Sequence, residues 1–235
     1  MNFTTTRKKL VKLLIIVALC LICLSILAII STYVFGHGNI YGLIPLFELD
    51  SEANFPTIFS TILLVTSSFL FYFLSKQVQV DGSKASRKFK FMSALLAFIA
   101  LDEISSIHEL LTEPLKALGN FDGIFFHSWI VVFIPLLLLL SIYLFRFIIS
   151  QPKEFRNGLI LAAFIYISGA LGMEMIEGLF ASTHGRINLL TAVLTNIEES
   201  LEIFGTIILI NTLLKFILLK EHAHEIRILL LIEEK

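Results

Sequence analysis

The sequence predicts an all-α fold: a polytopic membrane helix bundle with six transmembrane helices and both termini in the cytoplasm. Three observations predict it. Hydrophobic residues make up 57% of the 235 positions, above the roughly 45–50% of a soluble domain, and the mean hydropathy is +0.88. Apolar runs recur at about the length a bilayer needs, roughly 20 residues each. Lys and Arg gather on one side of the topology those runs define.

The expected spans lie at about 10–35, 56–75, 89–111, 124–149, 157–180 and 189–219. The first follows "TTRKKLVK". It is too long for a signal-peptide core and no small-residue cleavage site follows it, so it reads as a helix. Its Cys20 and Cys23 sit near mid-membrane, where small apolar packing explains them better than redox chemistry. The second span is apolar, with Ser67 and Ser68 inside it. The third, "ALLAFIALDEISSIHELL", turns acidic at Asp102. The fourth opens in "FFHSWI", and Pro135 is expected to bend it. The fifth contains "GALGMEMIEGLF" and the sixth "LTNIEESLEIFG". Residues 1–220 form one transmembrane domain. Residues 221–235, "EHAHEIRILLLIEEK", form a short amphipathic cytoplasmic tail that lies on the membrane surface or extends the last helix.

Charge sets the orientation. Of the 18 Lys and Arg, all but Lys116 and Arg186 flank the side that holds the termini, which places that side in the cytoplasm. The outer loops carry Glu48, Asp50, Glu52, Glu113 and Asp122. Tyr33, Tyr41, Tyr72, Trp129 and Tyr143 fall near the expected interfaces, as an aromatic belt. A net charge of −1 offers no footprint for nucleic acid. The expected location is the bacterial inner membrane.

Acids inside the spans are the chemical signal. Asp102, Glu103 and Glu109 lie in the third span, Glu174 and Glu177 in the fifth, and Glu198, Glu199 and Glu202 in the sixth. An unpaired charge at mid-bilayer costs about 2.5–3.5 kcal/mol on insertion scales, so all of them ionised in lipid would cost on the order of 20 kcal/mol. They must face the bundle interior. On ideal helices Asp102 and Glu109 share a face with Ser105 and Ser106 between them. Glu174 and Glu177 share a face with Ala170 and Gly178, and Glu198 and Glu202 line up with Thr191, Thr195 and Gly205. Such polar, small-residue stripes pack against one another. Glu103 and Glu199 stand about 100° away, at the edges. All eight acids fall within roughly 3–20 Å of the outer end of their helices, Glu202 deepest near the midplane and most of the others in the outer half.

No Lys or Arg lies within these spans near the acids. Shared protons could neutralise them, or a bound cation could. Acids from several helices converging in a bundle are how two-metal carboxylate sites are built. The expected metal ligands are therefore Asp102, Glu109, Glu174, Glu177, Glu198 and Glu202, with Glu103, His108, His127 and Glu199 supporting or joining them. His37 and His184 read as loop or interface histidines. The Glu-x-x-His spacing of di-iron bundles occurs only as Glu221 and His224 in the tail, on the wrong side of the membrane. Oxygen-rich ligation suits Mg, Mn or Ca, and added imidazoles suit Zn or Fe.

Together "LDEISSIHE", "GMEMIEG" and "EESLEIFG" resemble the signatures of a family of uncharacterised bacterial multi-pass proteins. The resemblance covers most of the chain after the second span and implies no established activity. Alkaline ceramidases also place Asp-Glu in a span, but their His-x-x-x-His pair is missing here. CAAX-type proteases need an Arg where Ile203 stands.

Three functions are compatible with the pattern. The first is a metal-dependent enzyme acting on a lipid or other amphiphile reached from the outer leaflet, with the metal activating a reactant and a spare Glu moving protons. The second is a cation- or proton-coupled transporter or channel that uses the acids as a relay. The third is a non-catalytic subunit or sensor that docks a protein partner through the basic cytoplasmic face.

Overall fold

A computed structural model of the chain describes residues 3–49, 53–79 and 84–233. Asp50, Glu52, Gly82 and Ser83 lie outside the described residues, as do the side chains of the tail from residue 221 onward, His222 and His224 included.

The described chain is all-helical. The helices are α1 (Phe3–Tyr33), α2 (Leu43–Phe47), α3 (Phe55–Gln79), α4 (Ala85–Ser105), α5 (Thr112–Lys116), α6 (Ile130–Ile149), α7 (Lys153–Ile167), α8 (Glu174–His184) and α9 (Leu189–Glu233). A π-turn, Ser168–Met173, joins α7 to α8 with no non-helical residue between them. The α9 backbone runs on through Glu233, so the tail continues the last helix.

Among the described residues, five segments are long and apolar enough to cross a membrane: Thr6–Tyr33, Phe55–Val78, Ile130–Ile149, Lys153–His184 and Leu189–Lys220. The expected third span is not among them. Helix α4 carries Arg87, Lys88 and Lys90 near its start and Asp102 and Glu103 in its last turn, and it stops at Ser105 rather than near residue 111. The fourth helix also starts later than expected, at Ile130, after a short turn at Gly123–Phe125.

Side-chain pairs set the register of neighbouring helices, and each pair named runs antiparallel. Between α3 and α4, the Ser68 hydroxyl donates to the Ser93 carbonyl at 2.7 Å and the Ser86 hydroxyl to the Ser75 carbonyl at 2.8 Å. Between α1 and α9, Arg7 donates to the Asn211 side-chain amide oxygen Oδ1 at 2.5 Å, and the Asn196 side-chain amide donates to the Ser25 hydroxyl at 2.6 Å. Ser25 also accepts from the backbone N–H of Leu49 at 3.1 Å, pinning the α2–α3 connection to the same point. Between α7 and α9, Lys215 pairs with Glu154 at 2.6 Å.

The half of the bundle that holds the start of α4 and the end of α6 is filled with aromatic and branched side chains. Phe155 stacks on Phe216 at 3.9 Å between ring centroids, and Phe89 meets Phe147 edge-on at 5.1 Å. Ile203, Ile207 and Ile210 of α9 are buried against Ala18, Leu63 and their neighbours, and Leu213 joins the aromatic cluster. In lipid such contacts stabilise by close packing rather than by escape from water, so small residues at crossings matter. At Gly205 an added Cβ would lie 2.8 Å from the Tyr166 backbone nitrogen, which shows how closely α7 and α9 approach.

Candidate metal centre

Helix α4 ends because Ser106 adopts the left-handed conformation, at φ 43° and ψ 45°. That turn reverses the chain over the acidic end of α4. Asp102 then accepts the His108 backbone N–H at 2.8 Å through one oxygen and faces His108 Nδ1 at 2.8 Å with the other. The expectation that Asp102 and Glu109 share a helix face is therefore corrected. A continuous helix would have turned His108 well away from Asp102; the break brings the two into contact. Glu109 lies close enough to His108 to interact electrostatically with it. Glu103 hydrogen-bonds Ser60 of α3.

The π-turn sets the second group. At Gly169 an added Cβ would come within 2.7 Å of the Glu198 carbonyl oxygen and 3.0 Å of Glu202 Cγ. Glycine there lets α9 press its acidic stripe against the α7–α8 junction. Directly after the turn, Glu174 shares a side-chain hydrogen bond with Glu198. Between two carboxyl groups that bond requires a proton on one of them. Glu202, 8% exposed, hydrogen-bonds Tyr166 and lies within electrostatic reach of Glu103, Glu174 and Asp102. Glu199 reaches Glu198 and Tyr166 in the same way, from the edge.

His127 arrives on the turn before α6. Gly178 makes room for it: a Cβ there would lie 3.2 Å from His127 Cδ2, Phe126 Cβ and the Gly123 carbonyl. Both ring nitrogens are engaged by acids. Nδ1 faces Glu174 at 3.0 Å, and Nε2 meets Glu177 in a short contact. Trp129 Nε1 donates to the same Glu174 oxygen at 3.3 Å, and its ring packs edge-on against His108 at 4.7 Å.

The acids from α4, α8 and α9 thus meet, and two histidines from the turns between helices meet them. Of the described residues, none of Asp102, Glu103, Glu174, Glu177, Glu198 or Glu202 pairs with Lys or Arg; the ion pairs made by lysine are Lys116–Glu113 and Lys215–Glu154. As it stands, no group of three or more His, Cys, Asp or Glu among the described residues is arranged as a metal cage. Glu174 and Glu198 hydrogen-bond each other instead. A cation would have to displace the proton between Glu174 and Glu198 and turn both groups toward it.

Three participants were not foreseen. Trp129 belongs to the cluster and is buried, not an interfacial belt residue. Tyr166 and Ser60 close the far side. The available signal was position: Tyr166 falls in mid-span in "FIYISGA", away from either interface, and Ser60 lies inside an apolar run. His37 and His184 lie outside the cluster; His184 faces the Thr183 hydroxyl at 2.7 Å. Cys20 and Cys23 are free thiols on the exposed face of α1.

A protein-family model described as a domain of unknown function (DUF8692) matches residues 12–216, most of the chain. No curated protein and no solved structure matches it.

Proposed function

The chain belongs to the DUF8692 family, and within it we propose a bacterial inner-membrane protein whose outward-facing carboxylate–histidine cluster binds a divalent metal ion for chemistry on a lipid or other amphiphile. In this reading α4 completes a six-span bundle, and both termini lie in the cytoplasm with the Lys- and Arg-rich end.

The observation that carries the reading is the meeting of Glu174, Glu198, Glu202, Glu103 and Asp102 with no Lys or Arg of the described residues paired to them. Uncompensated like charges in a low dielectric are costly. Protons can offset that cost, and so can a cation with open coordination positions. Glu174 and Glu198 would be the first ligands, because they already touch. His127, Glu177 and Trp129 would orient Glu174, as outer partners orient metal ligands. Oxygen donors dominate, which favours Mg, Mn or Ca, and recruitment of His127 or His108 as a ligand would shift the preference toward Zn or Fe.

The continuous contacts His127–Glu174–Glu198 also suit a proton relay. A transport route finds no support below Glu202. There α9 continues as Ile203, Ile207, Ile210 and Leu213, each no more than 3% exposed. The buried hydroxyls at that depth are spent on backbone carbonyls: Ser67 on Leu63, Ser68 on Ser93 and Thr206 on Glu202.

Elemental analysis of the purified protein tests the proposal. Wild type should carry metal in stoichiometric amount, and Glu174→Gln and Glu198→Gln should lose it. A folded, metal-free wild type would contradict it.

A further inference from the structure

A cleft of about 180 Å³ opens beside the cluster, lined by Glu109, Glu113, Lys116, Phe126, His127 and Arg186, among others. It is wide enough for several waters or a small polar group. His127 is common to both, since the same ring contacts Glu174 and Glu177. The cleft therefore borders the candidate metal centre through that ring.

Its charges are of both signs and only loosely satisfied. Arg186 makes no side-chain ion pair or hydrogen bond among the described residues; only its backbone carbonyl is engaged, by the Thr191 hydroxyl. Lys116 Nζ lies 3.9 Å from Glu113, at the outer limit of an ion pair, and 5.3 Å from the centre of the Phe126 ring. The Glu113 side chain is 87% exposed. Lys116 and Arg186 are also the two bases that charge asymmetry assigns to this side of the membrane. Apolar residues sit in the chain beside these charges: Leu110 is 71% exposed, Leu118 83% and Ile187 91%. Exposed Leu and Ile flanking a charged cleft suit a ligand with a polar head and an apolar body.

We propose that the cleft holds the headgroup of an aminophospholipid, with the phosphate between Lys116 and Arg186 and the ammonium against Glu113 and Glu109. A single negative group would leave the two carboxylates facing it. A single positive group would leave the two bases facing it. A zwitterionic headgroup matches both pairs, and guanidinium and ammonium groups are the natural phosphate donors. The acyl chains would lie along Leu110, Leu118 and Ile187 in the outer leaflet. The inference rests on the proposed function in one respect: it makes the headgroup the part of the lipid presented to the metal centre.

Calorimetric titration of the purified full chain in detergent tests it. The probes are short-chain phosphatidylethanolamine, phosphatidylglycerol of the same chain length, and free phosphoethanolamine. Phosphatidylethanolamine should bind wild type about tenfold or more tighter than phosphatidylglycerol, the scale of one charged contact of roughly 1.4 kcal/mol. Lys116→Gln and Arg186→Gln should each weaken it about tenfold, and Glu113→Gln should remove the preference over phosphatidylglycerol. Equal wild-type binding of the two lipids, or unchanged binding in Lys116→Gln and Arg186→Gln, would overturn the assignment. Equal affinity for free phosphoethanolamine would overturn a lipid as the ligand. Repeating the titration on Glu174→Gln separates the two ideas. Lipid binding that survives loss of metal leaves the cleft standing, and metal retained without lipid selectivity removes the cleft alone.

Discussion

Gly169→Ala probes the junction that brings the acids together. The new Cβ would lie 2.7 Å from the Glu198 carbonyl oxygen, 3.0 Å from Glu202 Cγ and 3.1 Å from Leu201 Cβ. The nearest of these atoms is backbone, so it cannot swing aside. Helix α9 must withdraw from the α7–α8 junction by several tenths of an ångström, taking Glu198 away from Glu174. Overpacking of this kind costs about 1–3 kcal/mol. Exchanging glycine for alanine inside a helix returns about 0.5–1 kcal/mol, so the net loss reaches up to about 2.5 kcal/mol, with a midpoint of about 1.2 kcal/mol. For a chain of this size, about 2–4 °C of melting temperature accompanies each kcal/mol. Gly172→Ala, three residues on in the same π-turn, is the control, because its Cβ would meet nothing within 4 Å. Thermal unfolding of both variants in detergent, followed by circular dichroism, should place Gly169→Ala a few degrees below wild type and Gly172→Ala at or above it. A Gly169→Ala protein as stable as Gly172→Ala would refute the close approach of the two helices.

Other perturbations follow from single contacts. Asn196→Leu strands the Ser25 end of a buried network and should destabilise by about 1–3 kcal/mol, read as a lower melting temperature. Asp102→Ala removes the acceptor of the His108 N–H and should raise hydrogen exchange across residues 106–111, with α6 unchanged. His127→Phe leaves Glu174 and Glu177 without their shared partner. It should destabilise by about 1–3 kcal/mol and shift the emission of Trp129, the single tryptophan, which donates to Glu174.

Much of the fold was legible because bilayers impose length and composition. All five apolar spans begin and end within about six residues of where hydropathy places them, the clearest case being Leu189–Lys220. The third segment was misjudged for a physical reason. Its periodicity is helical through Ser105, and the turn that follows uses Ser106 in a conformation usually given to glycine or asparagine, so nothing in "ISSIHE" announced a break. The convergence of the acids was legible through cost, since eight carboxylates could not all face lipid. Which acid touches which was not. The π-turn shifts Glu174 and Glu177 relative to an ideal helix, and the loop before α6 inserts His127 between them. Trp129 illustrates the limit of the belt rule: tryptophan near an interface can equally turn inward when a buried carboxylate accepts its N–H.

The central claim is that a cation can take the place of the proton between Glu174 and Glu198. Anomalous diffraction from crystals of the protein grown with manganese tests this directly. The account predicts one strong peak inside the bundle, within about 2.0–2.6 Å of carboxylate oxygens of both residues. Crystals that diffract well but show no peak there, with Glu174 still hydrogen-bonded to Glu198, would contradict it.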